Sequence, residues 1–271
     1  MSWTTAVPVA RPLSRSLIAA ALLIAGLLPA RAAIVTETLL YDLDGVMFEG
    51  YLAYDDAVSG PQPGVLVVHQ WMGVSANERM RAEMLAELGY VALACDIYGQ
   101  GVRPQNADQA RAQAGKFYSD RDLLRDRLHA GFNALREHPR VDGARCAAIG
   151  YCFGGTGALE LARMGAPLKG AVSFHGGLST PQPAGPGEVA AKILVCHGAV
   201  DPYVPPAEVE AFLAEMDAAR VDFQFIMYAG AVHSFTQKEA GNDSSRGSAY
   251  DAAADRRSWG HLKLFLAEIF E

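Results

Sequence analysis

Gly150-Tyr151-Cys152-Phe153-Gly154-Gly155 follows an apolar run, Ala147 to Gly150, and leads into a helical pattern from Thr156 to Met164. A strand that turns sharply into a helix holds its corner residue in a strained backbone, and flanking side chains would collide there, so glycines are needed to clear the space. The geometry projects one side chain, here a thiol, above the sheet and aims the first N–H groups of the helix at it. With 27 glycines and 4 cysteines among 271 residues, only about 0.04 chance matches to G-x-C-x-G are expected.

Outward from this turn, short apolar runs alternate with helical patterns. Val65–Val68, Val91–Cys95, Ala147–Gly150, Ala171–Phe174, Ile193–Cys196 and Phe223–Tyr228 read as strands buried on both faces. That is the pattern of a parallel sheet with helical crossovers. Ahead of them, Thr36–Tyr41 and Val46–Tyr54 flank Asp44-Gly45, residue types that accept the positive φ of a tight hairpin turn. Ser75 is placed to cap a helix with Met80, Met84, Leu85 and Leu88 on one face and Gly89 beyond its end. Asp120 to His138 is amphipathic and stops at Pro139, and Pro205-Pro206 opens a helix toward Ala219. Tyr250 to Phe270 forms the last helix, with Leu262, Leu264, Phe265 and Ile269 inward, while Ser179–Gly187 and Gly241–Gly247 read as surface loops. The expected fold class is α/β, a mostly parallel central sheet with an antiparallel N-terminal hairpin and helices on both faces.

A thiol at such a corner needs a base to take its proton and an acid to orient the base. In folds with this turn the chain order is nucleophile, acid, histidine, each on a loop after a later strand. Asp201 follows the strand Ile193–Cys196, and His233 follows the strand Phe223–Tyr228. The order Cys152, Asp201, His233 is thus met, with His233 expected to accept the thiol proton and Asp201 to fix its tautomer. His129, His138 and His261 fall on expected helices and read as surface or satisfied residues. His69, His175 and His197 stand at strand ends, where α/β sheets bind ligands, but no carboxylate lies at metal spacing beside them, so no metal site is expected.

At this point the chain resembles the dienelactone hydrolases (carboxymethylenebutenolidases) of the α/β-hydrolase superfamily. The resemblance runs over nearly all residues after 32 and rests on VLVVHQWMGV (Val65 to Val74), DIYGQG (Asp96 to Gly101), GYCFGG (Gly150 to Gly155), HGAVDPYVP (His197 to Pro205), AGAVHSF (Ala229 to Phe235) and YDAAADRRSW (Tyr250 to Trp259). It implies an α/β-hydrolase fold and a Cys152, His233, Asp201 triad acting on an ester or lactone carbonyl. The backbone N–H groups of Trp71 and Phe153 would form the oxyanion hole. Three positions depart from the family: Gln70 stands where members carry a glutamate that interacts with the resting thiol. Gln100 and Gln237 stand where the enzymes acting on dienelactone hold the substrate carboxylate with arginines. An amide cannot form the bidentate charge-assisted pair of an arginine, so a neutral ester, lactone or thioester is expected in place of dienelactone. Gln70, Tyr98, Gln100, Arg103, His175 and Gln237 form the expected pocket, with Arg103 read either as a partial substitute for the arginines or as a solvated loop charge.

Hydrophobic residues make up 51% of the chain and charged residues 20%, enough apolar surface for a large core. The net charge of −7, with no basic cluster, argues against a nucleic-acid partner. Arg11 and Arg15 precede an apolar run from Leu17 to Leu28 that is too short to span a bilayer, and Ala30-Arg31-Ala32 supplies a cleavage pattern. Residues 1–32 therefore read as a signal peptide cleaved after Ala32, and 33–271 as a single exported domain, periplasmic or secreted. Cys95, Cys146 and Cys196 sit in apolar runs as small hydrophobes, and no structural disulfide is expected. No cofactor is required, the expected partner is a small ester or lactone, no membrane partner follows cleavage, and a monomer is the expected state. The alternative is a noncatalytic or redox-responsive binding protein on the same scaffold, motivated by a reactive thiol in an oxidising compartment. Retention of Asp201 and His233 argues against it, because binding alone needs no base and no orienter.

Overall fold

The computed structural model describes residues 1–4, 6 and 33–271, so most of the expected signal peptide 1–32, with its cleavage motif, lies outside the described residues. Strands β1 (Ile34–Leu43) and β2 (Val46–Asp55) make the expected hairpin. It turns through Asp44 at φ 51° and Gly45 at φ 79°. Six more strands follow: β3 (Gln62–Val68), β4 (Val91–Cys95), β5 (Val141–Tyr151), β6 (Gly170–Phe174), β7 (Lys192–Gly198) and β8 (Phe223–Tyr228). Their spatial order is β1-β2-β4-β3-β5-β6-β7-β8. β2 runs antiparallel to β4, and every pair from β4 to β8 is parallel.

The helices are α1 (Ala76–Ala86), α2 (Ala107–Ser119), α3 (Arg121–Arg136), α4 (Phe153–Arg163), α5 (Pro206–Ala218) and α6 (Ala252–Phe270). Alternation along the central strands divides the core in two. Leu66 and Val68 pack with Leu128, Phe132, Leu159 and Phe212 from α3, α4 and α5. Val65 and Val67 point to the other face and meet Leu85, Leu262 and Phe265 from α1 and α6. Each such side chain contributes roughly 1.5–3 kcal/mol by leaving water, and covering both faces explains why these strands read as continuous apolar runs.

Several expectations need correction. In α1 the buried face is Asn77, Glu78, Arg81, Ala82, Leu85 and Ala86, whereas Met80 and Leu88 are exposed. Polar groups turn inward there because they find partners: Glu78 closes a capping box with Ser75, and Arg81 reaches Asp255 at 2.6 Å. In α6, Leu264 faces solvent while Leu262, Phe265 and Leu266 hold the inward stripe three and four residues apart. β8 pairs only with β7 and is half-buried, as an edge strand must be, in place of the two-sided burial expected. Helix α2, capped by the Asn106 side chain, was not anticipated because its small and polar residues carry little apolar periodicity.

From β3 the chain crosses to β4 on one side, and later returns to β5 on the other. The loops leaving the C-terminal ends of β3 and β5 therefore part and open a crevice, the place where open α/β sheets receive ligands.

Candidate active site

Cys152 occupies the corner between β5 and α4 with φ 54° and ψ −117°, a backbone that costs a residue with a side chain about 1–3 kcal/mol. Its neighbours are packed too closely for anything but glycine. A Cβ on Gly150 would stand 1.8 Å from the Gly154 carbonyl oxygen, and one on Gly154 would stand 2.1 Å from the Val68 oxygen. One on Gly155 would lie 2.6 Å from Ser173 Oγ. The Cys152 N–H donates to the Phe174 oxygen at 3.0 Å, and its carbonyl accepts from the Gly155 N–H at 2.9 Å. The corner is thereby fixed to both the neighbouring strand and the helix.

The structure brings together the three residues singled out by chain order. His233 Nε2 lies 3.1 Å from Cys152 Sγ, and His233 Nδ1 lies 2.9 Å from Asp201 Oδ2. The Tyr203 N–H donates to Asp201 Oδ1 at 2.8 Å, holding the carboxylate from its other side. The His233 N–H donates to the Gly247 oxygen at 3.2 Å, and its carbonyl accepts from the Ala249 N–H at 3.0 Å. The stretch Gly241–Gly247, read as a plain surface loop, thus pins the His233 backbone; it also contains a short 3-10 turn, Ser244–Arg246. Burial alone would lower the His233 pKa. The adjacent Cys152 sulfur, hydrogen bonds to Asp201 and Cys152, and the Asp201 charge outweigh it and raise the value to about 10.

The N–H groups expected to receive an oxyanion are available. Among the described residues, neither the Phe153 N–H at the start of α4 nor the Trp71 N–H after β3 donates to a protein acceptor. The Trp71 loop is held from two sides. Tyr98 Oη donates to the Trp71 oxygen at 2.9 Å, and the buried Glu78 carboxylate accepts from the Ser75 N–H at 2.9 Å and the Gln70 N–H at 3.5 Å.

Cys152 and His233 open into a cleft of about 500 Å³. Gln70, Gln237 and Trp71 line it, and Met72, Ala107, Tyr203 and Ala240 add apolar wall. Gln237 is 8% exposed, and among the described residues its Nε2 has no hydrogen-bond partner. Arg111 and Glu239 bring opposite charges to the lining, and Arg111 already pairs with Asp108 at 3.0 Å. Sequence reasoning missed Arg111, which lies in no motif, and Met72, which lies inside VLVVHQWMGV without a polar or reactive group to single it out. Tyr203 had a signal, two residues past Asp201 on the same loop.

Four expected pocket residues do not line the cleft. Tyr98 is buried beneath the Trp71 loop, with its ring 5.8 Å from that of Phe153. Gln100 is exposed on the turn after β4, its Nε2 donating to Glu49 Oε2 at 3.3 Å. Arg103 is absent from the cleft lining and is not simply solvated. Its Nη1 pairs with the fully buried Asp96 at 3.4 Å and donates to the Val102 oxygen at 2.9 Å. His175 is wholly buried behind His233, with Nε2 2.8 Å from Thr236 Oγ1. Of the other strand-end histidines, His69 has Nδ1 2.6 Å from the Gln70 oxygen while its Nε2 accepts from the Ile97 N–H at 3.1 Å. These two bonds hold it in one neutral tautomer. Among the described residues, no group of three or more His, Cys, Asp or Glu side chains is gathered to hold a metal ion.

The sequence model of the dienelactone hydrolase family matches residues 48–270. The crystal structure of a dienelactone hydrolase-like promiscuous phosphotriesterase from metagenomic libraries superposes with a TM-score of 0.83 at 38% identity, covering 88% of this chain and all of that one. A Yersinia pestis protein provisionally named carboxymethylenebutenolidase is 31% identical over 196 residues, 68% of this chain and 73% of its own. A Bradyrhizobium protein provisionally named 2-oxo-3-(5-oxofuran-2-ylidene)propanoate lactonase is 29% identical over 245 residues, 85% of this chain and 95% of its own.

Proposed function

This chain belongs to the dienelactone hydrolase family and is a hydrolase of ester or lactone bonds; from that premise we propose a cysteine-dependent mechanism on a small neutral substrate. The observation that carries the reading is the line from Asp201 through His233 to Cys152, with contacts of 2.9 and 3.1 Å. Sγ attacks the carbonyl carbon, and the carbonyl electron pair moves to oxygen, where the N–H groups of Trp71 and Phe153 receive the charge. Collapse of this intermediate expels the leaving oxygen, which takes the proton from His233, and leaves a thioester on Cys152. Water then gives a proton to His233 and attacks the thioester, releasing the acid and restoring the sulfur. A His233 pKa of about 10 suits the first half, because the imidazole holds a proton for the leaving group at neutral pH.

Neutral substrates fit the cleft better than carboxylates. Gln237 offers a buried amide donor without a partner, which suits a carbonyl or ether oxygen. Arg103, the cation nearest in sequence to Gln100, is committed to Asp96. A second reading extends the same attack to neutral phosphotriesters. It is favoured by the 38% identity to a protein described as a promiscuous phosphotriesterase.

The basic, apolar and small-residue succession from Arg11 to Ala32 supports export before catalysis. The protein expressed from the full chain is expected to be recovered outside the cytoplasm beginning at Ala33, and an intact N-terminus would refute export. The decisive experiment assays the protein and its Cys152→Ala variant on neutral and carboxylated aryl esters, lactones and phosphotriesters under reducing conditions. Turnover is expected on neutral substrates, with a loss of about 10³-fold or more in the variant. Equal turnover by both proteins would refute the cysteine mechanism.

A further inference from the structure

His175 is a buried imidazole that the mechanism above does not use. It follows β6 directly, at φ 40°, and its N–H donates to the Cys196 oxygen at 2.9 Å. A left-handed backbone at a residue with a full side chain is strained and persists only when its surroundings demand it. The demand here is directional. The His175 ring stands 5.2 Å from the His233 ring at 67°, and 5.0 Å from the Phe235 ring at 80°. The Tyr203 ring approaches His233 at 5.2 Å and 80°, so the base has an aromatic edge contact with each of two partners.

A second chain of contacts fixes His175 itself. Its Nε2 lies 2.8 Å from Thr236 Oγ1. The Thr236 carbonyl accepts from Arg81 Nη2 at 3.1 Å, and the same nitrogen meets Asp255 Oδ1 at 2.6 Å. The Arg81 guanidinium also lies over the Tyr151 and Trp259 rings, 5.5 and 5.3 Å from their centres. Thr236 is three residues past His233, so this buried network grips the loop that carries the base.

Building on the triad reading, we propose that His175, held by Thr236, is a positioning residue: it keeps the His233 ring in line between Asp201 and Cys152. It does so as an uncharged ring. Burial holds the His175 imidazole well below its ordinary pKa, and the neighbouring His233 lowers it further. Other groups acting on the two imidazoles are Cys152, Asp201, Arg81 and His197, with the Tyr203 phenol against His233. A cation at His175 would repel the protonated base, whereas a neutral ring supplies a wall that a protonated imidazole tolerates.

The test uses Thr236→Val, which keeps the volume and removes the hydroxyl, and His175→Phe, which keeps a ring and removes the hydrogen bond. Both are compared with Cys152→Ala. Either positioning variant is expected to lower kcat about tenfold with KM within about twofold. In either, the His233 titration followed by NMR is expected to fall below about 10, because the contacts that raise it would lengthen. A purely structural role would move the melting temperature and leave that titration alone. Parent kcat and parent His233 titration in Thr236→Val would overturn the proposal even if His175→Phe fails to fold. In that outcome inactive Cys152→Ala would leave the triad reading standing, while active Cys152→Ala would overturn both.

Discussion

The turns after β4 and after β5 leave the same sheet in the same direction, yet one presents a thiol to a single histidine and the other ties up every charge it carries. After β5, glycines clear the backbone so that the Cys152 sulfur projects from the corner, where among the described residues His233 is its one hydrogen-bond partner. After β4, Asp96 is fully buried and accepts from the Tyr98 and Gly99 N–H groups at 3.0 and 3.2 Å. Arg103 folds back onto the same carboxylate. The difference lies in where the polar groups find partners. A turn whose side chains satisfy one another is architecture, and a turn whose thiol is left facing one imidazole is where the proposed chemistry has room to occur.

Filling the β5 corner should have the largest effect. Gly154→Ala places a methyl group 2.1 Å from the Val68 oxygen, and overpacking of this kind costs about 1–3 kcal/mol. Displacing Cys152 even slightly is expected to lower kcat/KM about 10²-fold. Ester kinetics together with urea unfolding check this, and a variant with parent kinetics would show that the corner tolerates movement.

A middle effect is expected at the β4 turn, with the opposite signature. Arg103→Gln leaves the buried Asp96 carboxylate without its cation. Since the Arg103 side chain is 24% exposed and the contact is 3.4 Å, the loss is expected to be about 1–2 kcal/mol, below that of a fully buried pair. Turnover of neutral esters should stay within about twofold. A KM that rises only for carboxylated esters would instead make Arg103 a substrate contact.

The smallest effect sharpens the contrast. Gln100→Arg should leave KM for carboxylated esters within about twofold, because position 100 lies outside the cleft. Gln237→Arg should lower that KM about tenfold, the worth of a hydrogen bond to a charged group. Equal responses at the two positions would show that the β4 turn reaches the substrate after all.

How much of this was legible in the sequence follows from the range of the interactions involved. The hairpin turn at Asp44-Gly45 and the glycines of the β5 corner were readable because each obeys a local steric demand. Cys152, Asp201 and His233 were readable because strand connectivity fixes their order along the chain. The β4 turn was not, because the partners of Arg103 and Gln100 come from β2 and from Asp96, brought together only by the sheet. His175 was rightly placed at a strand end and wrongly placed in the pocket, since its partner Thr236 lies 61 residues away. The buried polar face of α1 escaped for the same reason: Arg81 is turned inward by Asp255, 174 residues further on.

The crowding around Gly150, Gly154 and Gly155 also decides which changes of chemistry lie open to this scaffold over evolutionary time. Backbone atoms come so near these three positions that no other amino acid enters without movement, whereas the Cys152 side chain borders open cleft. An oxygen in place of that sulfur would stand at the same corner among the same neighbours. Under the proposed mechanism, the place of attack is therefore inherited with the glycines. The attacking element can drift by one substitution, with no new fold to be found.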